Sequence, residues 1–306
     1  MRDYVKLTDR DNVAVATHDV AKGTEIMPGL VLLDDIPQAH KFALVGIPKD
    51  GEIIRYGVVL GYALDDIKRG AWINEHMLRL PVSPSVDNMP YGVNIRKDLP
   101  QAPVKTFMGY RNPEGFYAGT RNILGIQTTV QCVQGVLDVA VERIRRELMP
   151  KYPNVDDVVA INHAYGCGVA INAPNAKFPI RALQNIARHP NFGGQLMVVS
   201  LGCEKLTVDM LVGAENNTPD NVVVLQDCKG FEAMMTAIMT LAEKKLVVLN
   251  ARKREELPLS DLLVGMQCGG SDAFSGVSAN PSAGYAADLL VQAGATVMFS
   301  EVRFRP

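Results

Sequence analysis

Over residues 1–80 the apolar positions come in short alternating runs: Tyr4-Val5-Lys6-Leu7, Asn12-Val13-Ala14-Val15 and Lys41-Phe42-Ala43-Leu44-Val45. Turn signals at Lys22-Gly23 and Asp50-Gly51 separate such runs, and no helical period is sustained. Alternation with period two predicts half-buried strands. Glycines at 57, 61 and 70 predict bends, hence a small, strongly curved β domain. Pro81, Pro84, Pro90, Pro100 and Pro103 follow. Each fixes its own φ and pushes the preceding residue out of the helical region, so 81–105 is expected as a stiff linker.

From residue 106 the pattern changes to strand alternating with helix. Buried strands are predicted over 122–130, 157–161, 196–199 and 221–225. Between the first two, Val133, Val136, Leu137, Ala140, Ile144 and Leu148 share one helical face. A long helix carries Phe231, Met234, Met235, Ile238, Leu241 and Leu246. After a charged segment (251–256) come a strand at 262–266, a Gly/Ser loop, a helix near 283–293 and an apolar strand at 296–299. Alternation of this kind predicts a doubly wound, Rossmann-like parallel sheet with helices on both faces. The expected division is 1–80 β domain, 81–105 linker, 106–256 α/β domain and 257–306 the start of a second α/β domain.

Composition narrows the function. Lys and Arg number 31 against 33 Asp and Glu, which leaves no basic field for nucleic acid or anionic lipid. No apolar run approaches the roughly eighteen residues of a membrane span, and no apolar segment follows the N-terminus as in a secretory signal. Five cysteines without close pairs fit a reducing compartment, so a cytoplasmic protein is expected.

Cys132, Cys167, Cys203, Cys228 and Cys268 each fall at or just beyond the carboxyl end of a predicted strand. Ligands of open α/β sheets bind in the crevice outside those ends. His163, Glu204, Lys205 and Asp272 share these glycine-rich loops, where backbone amides can approach an anion closely. A single free cysteine packs as a small hydrophobe more often than it serves a site; five at strand ends with a histidine and carboxylates favour a site. Gly166-Cys167-Gly168 lacks the third glycine of a dinucleotide loop, and neither a Walker loop nor a Cys-x-x-Cys pair occurs.

Asn162-His163-x-Tyr165-Gly166-Cys167-Gly168, Gly202-Cys203-Glu204 and Cys268-Gly269-Gly270-Ser271-Asp272-Ala273-Phe274-Ser275-Gly276 resemble the motifs of the galactarate/altronate dehydratases. Residues 1–80, with Asp11-Asn12-Val13-Ala14-Val15, Gln38-Ala39-His40-Lys41 and Gly51-Glu52-Ile53-Ile54-Arg55-Tyr56-Gly57, are similar to that family's N-terminal β-clip (SAF) module. Gly168-Val169-Ala170-Ile171-Asn172-Ala173-Pro174 looks more like the galactarate branch. The family's glycine-rich C-terminal motifs have no counterpart before Pro306, so a C-terminally truncated chain is expected, poorly active by itself and prone to self-association into a homo-oligomer.

The resemblance implies a lyase that dehydrates a sugar diacid (galactarate to a keto-deoxy aldarate) by metal-assisted β-elimination. It implies iron(II), or another divalent metal, with His163, Cys167 and Cys203 as candidate ligands. His40, Lys41 and His163 are the catalytic candidates, the first two as an acid/base pair. Arg55, Arg111, Arg121, Lys205, Ser271 and Asp272 are the candidates for binding the substrate, because a dianion needs cations and donors. Two alternatives stand beside this reading: a non-catalytic remnant that binds a sugar acid or a partner chain, and an iron–sulfur hydro-lyase using three of the cysteines.

Overall fold

A computed structural model describes residues 3–82, 98–113, 115–270, 272 and 274–300. Most of the proline-rich segment and Ser271 lie outside the described residues. The chain forms two compact units, one from Met1–Gln101 with Met266–Gln292, the other from Ala102–Gly265 with Ala293–Met298.

The first unit is the expected β domain. Its strands are β1 (Tyr4–Val5), β2 (Val13–Ala16), β3 (Glu25–Met27), β4 (Leu30–Val31), β5 (Lys41–Ala43), β6 (Glu52–Arg55), β7 (Val58–Ala63), β8 (Trp72–Ile73) and β9 (Leu78–Arg79). They pair as β1-β2-β5-β8, β6-β7-β9 and β3-β4, all antiparallel. β2 is buried on both faces. Ala14 and Ala16 meet Leu30, Ile36 and Phe42 on one side, whereas Val13 meets Ala43, Ile53 and Ile73 on the other. Two turns are stapled identically: Asp35 accepts the Lys22 amide and Asp66 the Lys49 amide, each at 2.8 Å. Carboxylate-to-amide staples of this kind replace hydrogen bonds that short strands cannot supply.

The second unit carries β10 (Thr106–Gly109), β11 (Ile123–Thr128), α1 (Gln134–Glu147), β12 (Asp157–Ile161), α2 (Lys177–Ile186), β13 (Val198–Ser200), α3 (Val208–Val212), β14 (Val222–Val224), α4 (Phe231–Asn250) and β15 (Glu255–Pro258). Its parallel sheet runs β12-β11-β13-β14. Leu124, Ile126, Met197 and Val199 pack against Leu137 and Ile144 of α1 and Ile238, Leu241 and Leu246 of α4. Val198 and Val222 pack instead against Leu183 of α2 and Leu211 of α3. Helices therefore cover both faces of a doubly wound sheet. Strand order reverses at β11: one connection leaves it for β12, and the next crosses back to β13. The carboxyl ends of β11 and β13 thus flank the topological switch point.

The last part of the chain adds a strand, a helix and a strand. β16 (Leu263–Gln267) and β17 (Thr296–Ser300) form a separate two-stranded sheet, and Phe299 at 86% exposure does not lie in the core of the parallel sheet. By compactness α5 (Ala279–Gln292) falls in the first unit, while β16 and β17 each lie across the division between the units. The charged segment after α4 leads into β15, which pairs with β10 in an antiparallel ribbon that neither sequence reveals alone.

Thr207 caps α3 through its hydroxyl, which accepts the Met210 amide at 3.4 Å. Thr207→Ala is expected to cost about 1 kcal/mol of stability. Urea unfolding of the two proteins checks it, and an unchanged midpoint would remove the cap from the account.

Candidate functional site

The residues at the switch point are tied by their own hydrogen bonds. Glu204 folds back under the end of β13, and its carboxylate accepts from the Ser200 hydroxyl at 2.5 Å, the Leu201 amide at 3.2 Å and the Gly202 amide at 2.6 Å. The buried Thr129 hydroxyl is a fourth donor to it. Burial pushes the Glu204 carboxyl up, but the Ser200, Thr129 and backbone donors outweigh it and hold the group below the usual glutamate range. Lys205 and Leu206 donate their amides to the Gly166 carbonyl at 3.0 and 3.2 Å. The loops after β11, β12 and β13 are thereby fastened into one floor.

His163 is part of this floor. Its Nε2 donates to the Thr128 carbonyl at 2.8 Å, and its Nδ1 accepts the Tyr165 amide at 3.1 Å. Both bonds fit one neutral tautomer, with the proton on Nε2. No ring lone pair is then left for a metal. Cys167 and Cys203 are exposed beside it, and the Cys203 sulfur accepts from Gln226 at 3.3 Å. Among the described residues no three His, Cys, Asp or Glu side chains converge as metal ligands. As arranged here, His163, Cys167 and Cys203 do not fit an iron(II) site.

The cysteine pattern itself holds in three dimensions. Each of the five follows the carboxyl end of a strand, and Cys132, Cys167 and Cys203 are exposed and not packed as small hydrophobes. Lys205 lies here as well, its ammonium 3.4 Å from the Val169 carbonyl. Arg111 and Arg121 do not. Arg121 lies two residues before β11 and its amide bonds Asn191, while Arg252 bridges the Arg111 carbonyl and Asn122, again at the amino end of β11. Arg111 also pairs with Glu255. A strand of this length separates them from the crevice by about 20 Å.

A second cluster occupies the first unit. His40 and Lys41 are neighbours in sequence at the start of β5, but their side chains meet different partners. The His40 Nδ1 accepts the Trp72 indole N–H at 3.1 Å on the Phe42 side. Lys41 is half-buried, and burial and the Arg55 guanidinium push its pKa down against the pull of Glu75. The expected His40–Lys41 pair is therefore not brought together. Arg55 lies over the Tyr56 ring, its guanidinium carbon 4.9 Å from the centroid. Burial raises the Tyr56 pKa, the Arg55 charge lowers it, and Asp11 and Asp272 raise it. The Asp272 carboxylate accepts the Phe274 and Ser275 amides, each at 2.7 Å, and so shapes the loop that reaches Tyr56. Tyr56 escaped sequence reasoning; its one signal was a bulky residue before glycine in a hairpin turn.

Three sequence profiles of one family cover most of the chain: the altronate/galactarate dehydratase SAF domain over 2–81, the D-galactarate dehydratase/altronate hydrolase second domain over 109–250, and the D-galactarate/altronate dehydratase C-terminal domain over 259–303. The chain belongs to the galactarate/altronate dehydratase family. It is 53% identical to galactarate dehydratase (L-threo-forming) of Escherichia coli K12, across 98% of this chain and 59% of that enzyme. It is 33% identical to altronate dehydratase of Bacillus subtilis 168 and 34% identical to that of E. coli K12, over 60% of each. The chain thus spans about three-fifths of the length of these relatives. The SAF-domain match falls within the first unit and the second-domain match within the second. No helix among the described residues is long and apolar enough to cross a membrane.

Proposed function

We propose that the protein acts as a hydro-lyase on a sugar diacid of the galactarate type. The observation that carries this reading is the 53% identity to galactarate dehydratase, against 33% and 34% to the altronate dehydratases, over nearly the whole chain. Dehydration of such an acid breaks the C–H bond beside the carboxylate and the C–O bond of the next carbon. Its difficult step is the first, because charge builds on the carboxylate as the α-proton leaves.

Lys41 is the base in this proposal. Half-buried and close to another cation, it gives up its own proton more readily than an ordinary lysine, as a group that takes a proton from substrate must. The α-proton passes to the Lys41 amine, the C–H electron pair forms the new C=C bond, and the β-hydroxyl leaves as water with a proton returned from the lysine. The enol so formed tautomerises to the keto-deoxy acid. Asp272 supports the reading through its place in the loop beside Tyr56.

The test is anaerobic incubation with galactarate and, separately, altronate, with and without added iron(II), following keto acid formation. Galactarate is expected to be the better substrate. Lys41→Ala is expected to lower kcat by about a hundredfold or more. Turnover of altronate alone, or an unchanged kcat in the variant, would reject the substrate or the base respectively.

A further inference from the structure

Arg55 is held in an unusual position for a surface cation. Its Nε is buried and donates to nothing among the described residues. A second cation, Lys41, is close enough to feel its charge, and both are half-buried. Glu75 offsets part of the charge at Lys41, whereas the buried Arg55 Nε has no acceptor among the described residues, and an anion that comes to share it relieves that cost.

The backbone beneath Arg55 is also strained. Tyr56 and Gly57 form a two-residue hairpin turn with φ values of 57° and 76°. Glycine takes that conformation freely; tyrosine in it costs on the order of 1 kcal/mol. Asp11 secures the turn, its carboxylate accepting the Gly57 amide at 2.7 Å and the Thr8 hydroxyl at 2.8 Å. The result is an aromatic ring laid under the guanidinium on one side of the turn. Gly276, in the loop that Asp272 shapes, runs so close to the same ring that a Cβ there would stand 3.4 Å from it.

We propose that Arg55, stacked on Tyr56, is the receptor for the substrate's carboxylate, and that Gly276 packs against the ring that aims it. A guanidinium lying on a ring keeps its N–H edge free for the two parallel hydrogen bonds a carboxylate accepts. Lys41 then stands beside the carbon next to that carboxylate, where a base for the α-proton belongs. Arg55 binds the charge, and Tyr56 is a positioning residue that never touches the reacting atoms. This inference rests on the sugar-acid reading above and deepens it.

The experiment measures galactarate binding by titration calorimetry and turnover in parallel, for the wild type, Arg55→Gln, Arg55→Lys and Tyr56→Leu. Arg55→Gln is expected to weaken binding by about tenfold or more, the scale of one charge-assisted pair. Arg55→Lys keeps the charge, loses the fork and recovers part of the affinity. Tyr56→Leu is expected to raise KM far more than it lowers kcat, a split that general loss of structure would not produce. Circular dichroism verifies that each variant is folded. Wild-type affinity in Arg55→Gln, or a Tyr56→Leu defect confined to kcat, overturns the receptor. A wild type that binds galactarate without dehydrating it leaves the receptor standing and overturns the proposed reaction; a wild type that does not bind it overturns both.

Discussion

Gly166→Ala is expected to destabilise the second unit by about 3 kcal/mol, from a disallowed backbone conformation together with a steric overlap. Gly166 has φ of 113°, a region that side chains rarely tolerate. A Cβ there would lie 2.2 Å from the Thr129 carbonyl oxygen, which is backbone and cannot swing aside. The same residue's own carbonyl accepts the Lys205 and Leu206 amides, so any shift that relieves the overlap breaks the tie between two loops. Gly168 is the control: its φ is 68° with nothing within 4 Å of a built Cβ. Gly168→Ala should cost only the left-handed penalty of about 1–2 kcal/mol. Urea unfolding of the two variants side by side decides it, and equal losses would mean that the close approach to Thr129 is not maintained in solution.

Removing the Glu204 carboxylate is the second large effect. Glu204→Ala strips a shared acceptor from two hydroxyls and two amides at once. Leaving partly buried donors without a partner costs about 1–3 kcal/mol each where water cannot replace it, so a loss of about 3 kcal/mol or more is expected. The effect depends on pH with a definite sign. The folded-state pKa is depressed, so Glu204's contribution is complete above the ordinary glutamate range and disappears as pH falls through the lower folded value. Wild type and Glu204→Ala should accordingly differ most near neutral pH and converge in acid. Parallel melting curves from neutral to acid pH measure this; a gap that stays constant would show that the carboxylate's charge is not what holds the floor.

Much of this protein was legible in its sequence because the informative patterns are local. Period-two alternation marked the first β unit, and the helical stripe of Leu137, Ala140 and Ile144 marked α1 on the face that packs against the sheet. The strand at Asp157–Ile161 was readable to the residue, since a β-branched apolar run between polar turns has few other uses. The placement of the cysteines beyond strand ends followed once the strands were known. α2 was hidden by Pro179 in its first turn, where a proline is tolerated but reads as a break.

What the sequence could not decide are relations between distant residues. β15 looks like a charged connector because its strand character comes from pairing with β10, some 150 positions earlier. Arg111, Arg121 and Lys205 are equivalent as isolated cations; only the strand order shows two at the amino end of the sheet and one at the carboxyl end. His163 resembles a metal ligand in its motif, yet the carbonyl of Thr128 and the amide of Tyr165 use both of its nitrogens. His40 and Lys41 are adjacent in the chain, yet His40 bonds the Trp72 indole while Lys41 meets the charge of Arg55. The sequence by itself determined most of the elements and the family they belong to, because backbone propensity, apolar periodicity and contiguous motifs act over a few residues. The tertiary structure alone decided which chemical groups meet, because hydrogen bonding and electrostatics depend on distance in space.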